Sequence, residues 1–107
     1  MNGCYKEISL NSKEEKIQIS GELNYSLYLV VASHNAGGPL FAGLISGSDS
    51  ISGIHFLQII NKNNYINVND GAKETPLLFK SNNFNTIHFC FIPLDINPNK
   101  KLNIKKI

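Results

Sequence analysis

The sequence predicts an all-β protein, a jelly-roll-like antiparallel β-sandwich of about eight short strands. No segment shows the apolar spacing of an amphipathic helix. Instead, apolar runs of strand length recur between clusters of Asn, Gly, Ser and Asp, which favour turns. Near the N terminus, apolar and polar residues also alternate, as in a strand with one buried face.

The two N-terminal strands are predicted from this alternation. Ile8 and Leu10 alternate with polar neighbours, and Ile17 and Ile19 do so after a polar turn. The later strands are predicted from more continuous apolar runs, bounded by turn residues. These runs are Leu27–Ala32, Leu40–Ile45, Ile54–Ile60, Tyr65–Val68, Leu77–Phe79 and Ile87–Leu94.

Three of these runs, starting at Leu27, Leu40 and Ile54, are apolar on both faces. An antiparallel sheet normally meets the core with one face, so the second apolar face needs its own cover. A loop or terminus of the same chain would serve, but we favour another copy of the protein. The residues predicted at this oligomer interface are Leu27, Leu29, Phe41 and Ile45.

The length of the chain indicates one domain, residues 1–107. Its low charge indicates that it does not recognise a highly charged partner. Charged residues make up 17% of the chain, the net charge is +2 and arginine is absent. Without the guanidinium fork, bidentate recognition of phosphate or guanine is lost, so we expect no nucleic-acid partner. The basic C-terminal tail, residues 96–107, is predicted to be a frayed and solvated terminus.

The two cysteines, Cys4 and Cys90, do not form a disulfide framework or a zinc motif. Their pairing stays open, but we expect free thiols in a soluble protein made in the cytoplasm. The first residues lack the apolar region of a signal peptide, and no run approaches the ~20 residues of a membrane helix. The sequence therefore predicts no membrane insertion.

Catalytic and metal sites are not predicted, and neither is a cofactor. No Gly-x-Ser-x-Gly elbow or His-x-x-x-His spacing is present. The tripeptides Ile54-His55-Phe56 and Ile87-His88-Phe89 repeat one pattern, and pairing of their strands would bring both imidazoles to one face. We interpret these histidines as ordinary surface side chains, because no aspartate or third histidine has ligand spacing to them.

Loops between strands are the predicted binding region, because a rigid sandwich presents its loops together at each end. The segment Ser33–Pro39 combines a histidine, two glycines and a proline between strongly apolar strands. The predicted ligand-binding residues are His34, Asn35, Asp49, Tyr65, Asp70 and Phe84. Aromatic side chains near strand ends would stack on sugar rings, and we include Tyr25 and Tyr28 among them.

The order of these segments resembles the small β-sandwich tip domains of phage tail fibres and related contractile-tail particles. The resemblance covers residues 20–95: Leu27–Val30, the Gly37-Gly38 loop, Phe41–Ile45, an Asn-rich strand and Ile87–Ile92. It implies a homotrimer with its apolar faces at the threefold axis, sugar-binding loops and a place on a virion or tail particle. The His-x-His iron-binding repeat of some fibre needles is missing here.

Three function classes remain open from the sequence. The favoured one is an oligomeric, non-enzymatic module that binds a cell-surface carbohydrate through strand-end loops. The alternative is a small protein–protein interaction partner, an inhibitor or assembly factor, that uses an apolar sheet face or edge. An enzyme that uses His34, His55 or His88 is the least favoured. The sequence also leaves open whether the chain is a whole protein or one domain of a longer one.

Overall fold

The structure, a computed structural model, describes residues 6–20, 27–34, 38–47, 54–69, 77–82, 86–94 and 103–107. Most of these lie in nine β-strands, and a short 3-10 turn spans Lys62–Asn64. The strands are β1 (Lys6–Leu10), β2 (Lys16–Ser20), β3 (Leu27–His34), β4 (Pro39–Gly47), β5 (Ile54–Asn61), β6 (Ile66–Asn69), β7 (Leu77–Ser81), β8 (Ile87–Pro93) and β9 (Asn103–Lys106). The all-β prediction is confirmed, and every predicted apolar run coincides with a strand.

Two antiparallel sheets form a sandwich. One sheet has the order β1-β8-β3-β4-β5, and the other has the order β6-β7-β2-β9. The pairing of β1 with β8 and of β2 with β7 is nested in sequence, as in a jelly roll. The strands β3, β4 and β5 instead follow one another as a meander within one sheet. The five-stranded sheet is therefore one strand wider than its partner.

Aromatic side chains from both sheets meet at the centre of the sandwich. The ring of Phe79 on β7 packs edge-on against Phe41, with centroids 5.4 Å apart, and against Phe56 at 5.3 Å. Phe89 and Phe91 on β8 stack against the same ring at 5.8 and 6.4 Å. Phe79 is fully buried. One phenylalanine of the smaller sheet thus contacts three strands of the larger one.

The inner face of β4 and β5 depends on Gly43. A Cβ at this position would overlap the Phe56 ring and lie 2.8 Å from the Leu57 carbonyl oxygen. Glycine therefore lets the Phe56 side chain cross β4 and reach the core. The register between the two strands also shifts beside this glycine, because Gly43 pairs with Gln58 and Ala42 pairs with Ile60. Ile59 is the extra residue of the resulting β-bulge.

The prediction of a frayed C-terminal tail is wrong for residues 103–106, which form β9. This strand pairs with β2, and Ile104 is 3% exposed. Lys106 Nζ donates to the carbonyl oxygen of Ser9 at 3.0 Å and lies 3.0 Å from Glu15 Oε2. The hydrogen bond from Lys106, followed by the Asn11 amide, lowers the pKa of Glu15 below its ordinary value of 4.5. The lysine thereby joins the edges β1 and β9.

The expectation of free thiols is wrong for Cys90, which is disulfide-bonded. Cys90 lies in β8 and is 7% exposed. The sequence contains one other cysteine, Cys4, which lies outside the described residues. The sequence therefore offers Cys90 a single intramolecular partner, and the cysteine argument for a cytoplasmic location no longer stands.

Two of the predicted oligomer-interface residues lie in the core. Phe41 and Ile45 are 0% exposed, because their side chains point between the sheets. They cannot contact another copy in this fold, and their assignment to an interface is wrong. Leu27 and Leu29 on β3 point away from the second sheet, on the outer face, and are half-buried. Alternate residues of β3 are therefore sorted between the two faces, as strand geometry requires.

Candidate functional site

Two of the predicted ligand-binding residues, His34 and Tyr65, come together at one end of the sandwich. Their rings are in an edge-to-face arrangement with centroids 5.7 Å apart. His34 is the last residue of β3, and Tyr65 directly precedes β6, so the pair joins the two sheets. Both residues are half-buried. Asn35 and Phe84, which were also predicted to bind ligand, lie outside the described residues.

Asparagine side chains and backbone hold Tyr65 in place. Asn63 and Asn64 adopt positive φ angles of 54° and 52°, which asparagine tolerates better than most residues. The Asn82 backbone amide donates to the Tyr65 carbonyl oxygen at 2.8 Å, and its side chain donates to the Asn64 carbonyl at 3.0 Å. This connection crosses from β5 in one sheet to β6 in the other.

A fourth asparagine ties β5 and β6 together. Asn61 Nδ2 donates to the carbonyl oxygen of Ile66 at 2.7 Å, and Asn61 Oδ1 accepts from the Ile66 amide at 3.2 Å. The side chain of Asn61 thus binds a backbone unit as a neighbouring strand would. This contact fixes the end of β5 against the start of β6.

For two other predicted ligand residues, Asp49 and Asp70, only the preceding described residues can be placed, and these lie away from this end. Asp49 follows Gly47, which pairs with Ile54 at the end of β4 remote from Pro39. Asp70 follows Asn69, the last residue of β6 and the one farthest from Tyr65 along that strand. Both aspartates lie outside the described residues. The proposed sugar-stacking residue Tyr28 is 3% exposed in the core, so that assignment is wrong, and Tyr25 is not described.

The most exposed apolar surface that the described residues provide is the second half of β5. Leu57 is 63% exposed, Ile59 is 59% exposed and Ile60 is 45% exposed. β5 ends the order of the five-stranded sheet, so one side of its backbone pairs with β4 and the other side pairs with no strand among the described residues. Leu57, Ile59 and Ile60 together form what we call the β5 edge. Exposed apolar side chains on an unpaired edge are the features that a second strand binds.

Sequence reasoning placed the interface on β3 and β4 and missed the β5 edge. The signal was present, because Ile54–Ile60 is apolar on both faces and carries no acidic or basic residue except His55. What the sequence lacked was the strand order, which puts β3 and β4 inside the sheet and β5 at its border.

A serine–histidine contact lies on the outer face of the five-stranded sheet. Ser9 Oγ is 2.7 Å from His88 Nδ1, and the two residues are cross-strand partners on β1 and β8. The contact is exposed, and it stands on a sheet face. A catalytic serine needs a base at such a distance and also hydrogen-bond donors that bind the oxyanion. The Ser9–His88 contact supplies the base but not these donors. We assign it to the β1–β8 pairing.

The repeated His55 and His88 tripeptides do not form a shared site. Strands β3 and β4 lie between β5 and β8. The registers also place His55 level with the start of β3 and His88 level with its end, so the two histidines lie roughly 25 Å apart at ordinary strand geometry. Within the described residues, no group of three His, Cys, Asp or Glu side chains is arranged to hold a metal ion. The repeated Ile-His-Phe tripeptide suggested that the two strands carrying it pair, and this is wrong because β5 and β8 are not neighbours.

Comparison with protein-family models, with curated proteins and with solved structures finds no match for this chain. The resemblance to tail-fibre tips thus stays a prediction from the sequence. Within the described residues, no helix has the length and apolar character needed to span a membrane.

Proposed function

We propose that this chain is a binding module without catalytic activity, that its binding surface is the β5 edge, and that its partner is an extended, uncharged protein segment. The observation that carries this proposal is the exposure of Leu57, Ile59 and Ile60 on a border strand. In strand addition, a partner's backbone completes the hydrogen bonds of the edge, while its alternate side chains contact the host residues.

The chemistry of β5 defines the partner. The strand offers His55 and Gln58 as its exposed polar side chains, and no carboxylate or ammonium group. An acidic or basic segment would lose hydration on this surface and gain no ion pair. An extended segment with alternating apolar side chains would instead cover the exposed leucine and isoleucines.

This function is tested with a displayed library of short peptides selected on the wild-type protein. We expect enrichment of uncharged, alternating apolar peptides, and Leu57→Lys should weaken their binding by about tenfold or more in fluorescence polarisation. Leu94→Lys is the matched control, because Leu94 is 48% exposed but follows β8. Peptides that bind the Leu57→Lys variant as well as the wild type would contradict the proposal.

A second candidate, carbohydrate binding at the strand ends, is favoured by the His34–Tyr65 ring pair. Aromatic rings near a loop cluster supply an apolar face for a sugar ring and polar groups for its hydroxyls. A panel of bacterial surface glycans on an array would test this candidate. Binding that is lost in Tyr65→Ala and kept in Leu57→Lys would support it, whereas binding that is unchanged in Tyr65→Ala would exclude this site.

A further inference from the structure

We infer that the segment bound at the β5 edge is β5 of a second copy of this chain, paired antiparallel across a twofold axis. This inference rests on the proposed use of β5 as a binding edge and names its occupant. Pairing of this kind would join the two five-stranded sheets of the copies into one continuous sheet.

The first argument is that β5 differs from the other border strands of the described sheets. Proteins protect such borders with charges, with proline or by keeping the strand short. β1 carries Lys6 and Glu7, β9 carries Lys105 and Lys106, and β6 has only 4 residues. β5 has 8 residues, no charged side chain apart from the titratable His55, and no proline.

The second argument is self-complementarity. A twofold interface places the same surface of each copy against itself, so a charged strand would meet its own charge. Self-pairing of β9 would bring lysines together, whereas β5 meets an equally uncharged strand. A hetero-partner would have no need of this neutrality, because a charge on β5 could be matched by an opposite charge on the partner.

The third argument is the apolar row on the outer face of the sheet. The registers place Leu57 beside Leu44, Leu44 beside Leu29, and Leu29 beside Ile92. This row runs across four strands and ends at the exposed Leu57. Pairing of two β5 strands would continue it into the second copy and cover Leu57 from the side.

The β-bulge at Ile59 limits the length of regular pairing to Ile54–Gln58, so Leu57 is the residue of the β5 edge that lies within the paired segment. With the twofold axis at Phe56, Leu57 would lie opposite His55 of the other copy. An interface of this length is at the small end of specific interfaces, below about 1,200 Å² in total. We therefore expect a dissociation constant on the order of 1 μM, so that dilution separates the copies.

Sedimentation velocity over a concentration series tests this inference on the wild-type chain. We expect a mass of twice 11.9 kDa at high concentration and a monomer on dilution. Leu57→Lys should raise the dissociation constant by at least about 100-fold, because two like charges then lie diagonally across the axis. Leu94→Lys should leave it unchanged, and circular dichroism should show that both variants are folded.

A charge-swap mixture identifies the surface. Residue 57 of the two copies would be diagonal neighbours, within reach of long side chains. Mixing Leu57→Lys with Leu57→Glu should therefore restore the dimer that each variant alone has lost. A trimer, a monomer at every concentration, or a dimer insensitive to Leu57→Lys would overturn the inference. If the protein is a monomer but β5 still binds selected peptides, the inference that a second copy binds there is wrong, and the proposed function still holds.

Discussion

Replacement of Phe79 by alanine is expected to lower the free energy of unfolding by about 3–5 kcal/mol. The ring is fully buried and contacts four other phenylalanines from the opposite sheet. The substitution removes the transfer free energy of the ring, and it leaves a cavity that the stiff β-sheets cannot close. Chemical denaturation followed by circular dichroism measures the change directly.

Leu94→Ala is the matched control for this experiment. Leu94 is a large apolar residue like Phe79, but it is 48% exposed, so its truncation should change the stability by less than about 0.5 kcal/mol. If Phe79→Ala costs no more than Leu94→Ala, the two sheets do not pack through Phe79 as described. An unfolded Phe79→Ala variant would still fit the expectation, and Phe79→Leu would then supply a measurable, smaller loss.

The strands were predictable because the signal for a strand is local. Alternation over Ile17 and Ile19, and turn residues around each apolar run, identify a segment without knowledge of its neighbours. The same reasoning failed for β9, whose sequence Asn-Ile-Lys-Lys has one apolar residue and three polar ones. A single side chain, Ile104, is buried there, and the pairing with β2 supplies what the local pattern does not.

Strand order was not predictable, and the candidate site depends on it. The continuous apolar runs of β3, β4 and β5 looked alike in sequence, yet Phe41 and Ile45 are buried while Leu57 is exposed. Part of the difference is the face, because Phe41 and Ile45 point between the sheets and Leu57 is on the outer face. The rest is position in the sheet: Leu44, the outer-face partner of Leu57 on the inner strand β4, is half-buried, whereas Leu57 has a neighbouring strand on one side only. Pairings such as that of Ser9 with His88 join distant parts of the chain, and neither segment carries a local sequence signal for them.

The His34–Tyr65 contact was also not predictable, although both residues were named from the sequence. His34 was named from the composition of its loop and Tyr65 as an aromatic residue near a strand end, and their ring centroids lie 5.7 Å apart. The contact arises because the chain crosses from β5 to β6 and changes sheets. Local sequence identified residues at strand ends, and the path of the chain decided which of them meet.

Reduction of the disulfide at Cys90 is expected to destabilise the fold by about 2–5 kcal/mol, the usual cost of losing a native disulfide. The only other cysteine in the chain is Cys4, so an intramolecular bridge closes a loop over most of the sequence. Long loops gain the most from such a bridge, because the oxidised unfolded chain loses more conformational freedom. Urea denaturation with and without a phosphine reductant measures the loss.

Cys4→Ser separates the bridge from other effects of the reductant. The variant should match the reduced wild type in stability, and the reductant should not change it further. Equal stability of the oxidised and reduced wild type would contradict the expectation. A Cys4→Ser variant that stays sensitive to reductant would show instead that Cys90 is bridged to another copy.

The size of this loss bears on where the protein works. Native domains have a free energy of unfolding of about 5–15 kcal/mol. A loss at the upper end of the range for disulfides would therefore leave the reduced chain close to unfolding. Disulfides persist in oxidising surroundings and are rare in the cytosol. A large loss on reduction would therefore mean that the sandwich, and with it the β5 edge, is maintained only where the bridge survives. A small loss would mean that the packing around Phe79 suffices in either environment.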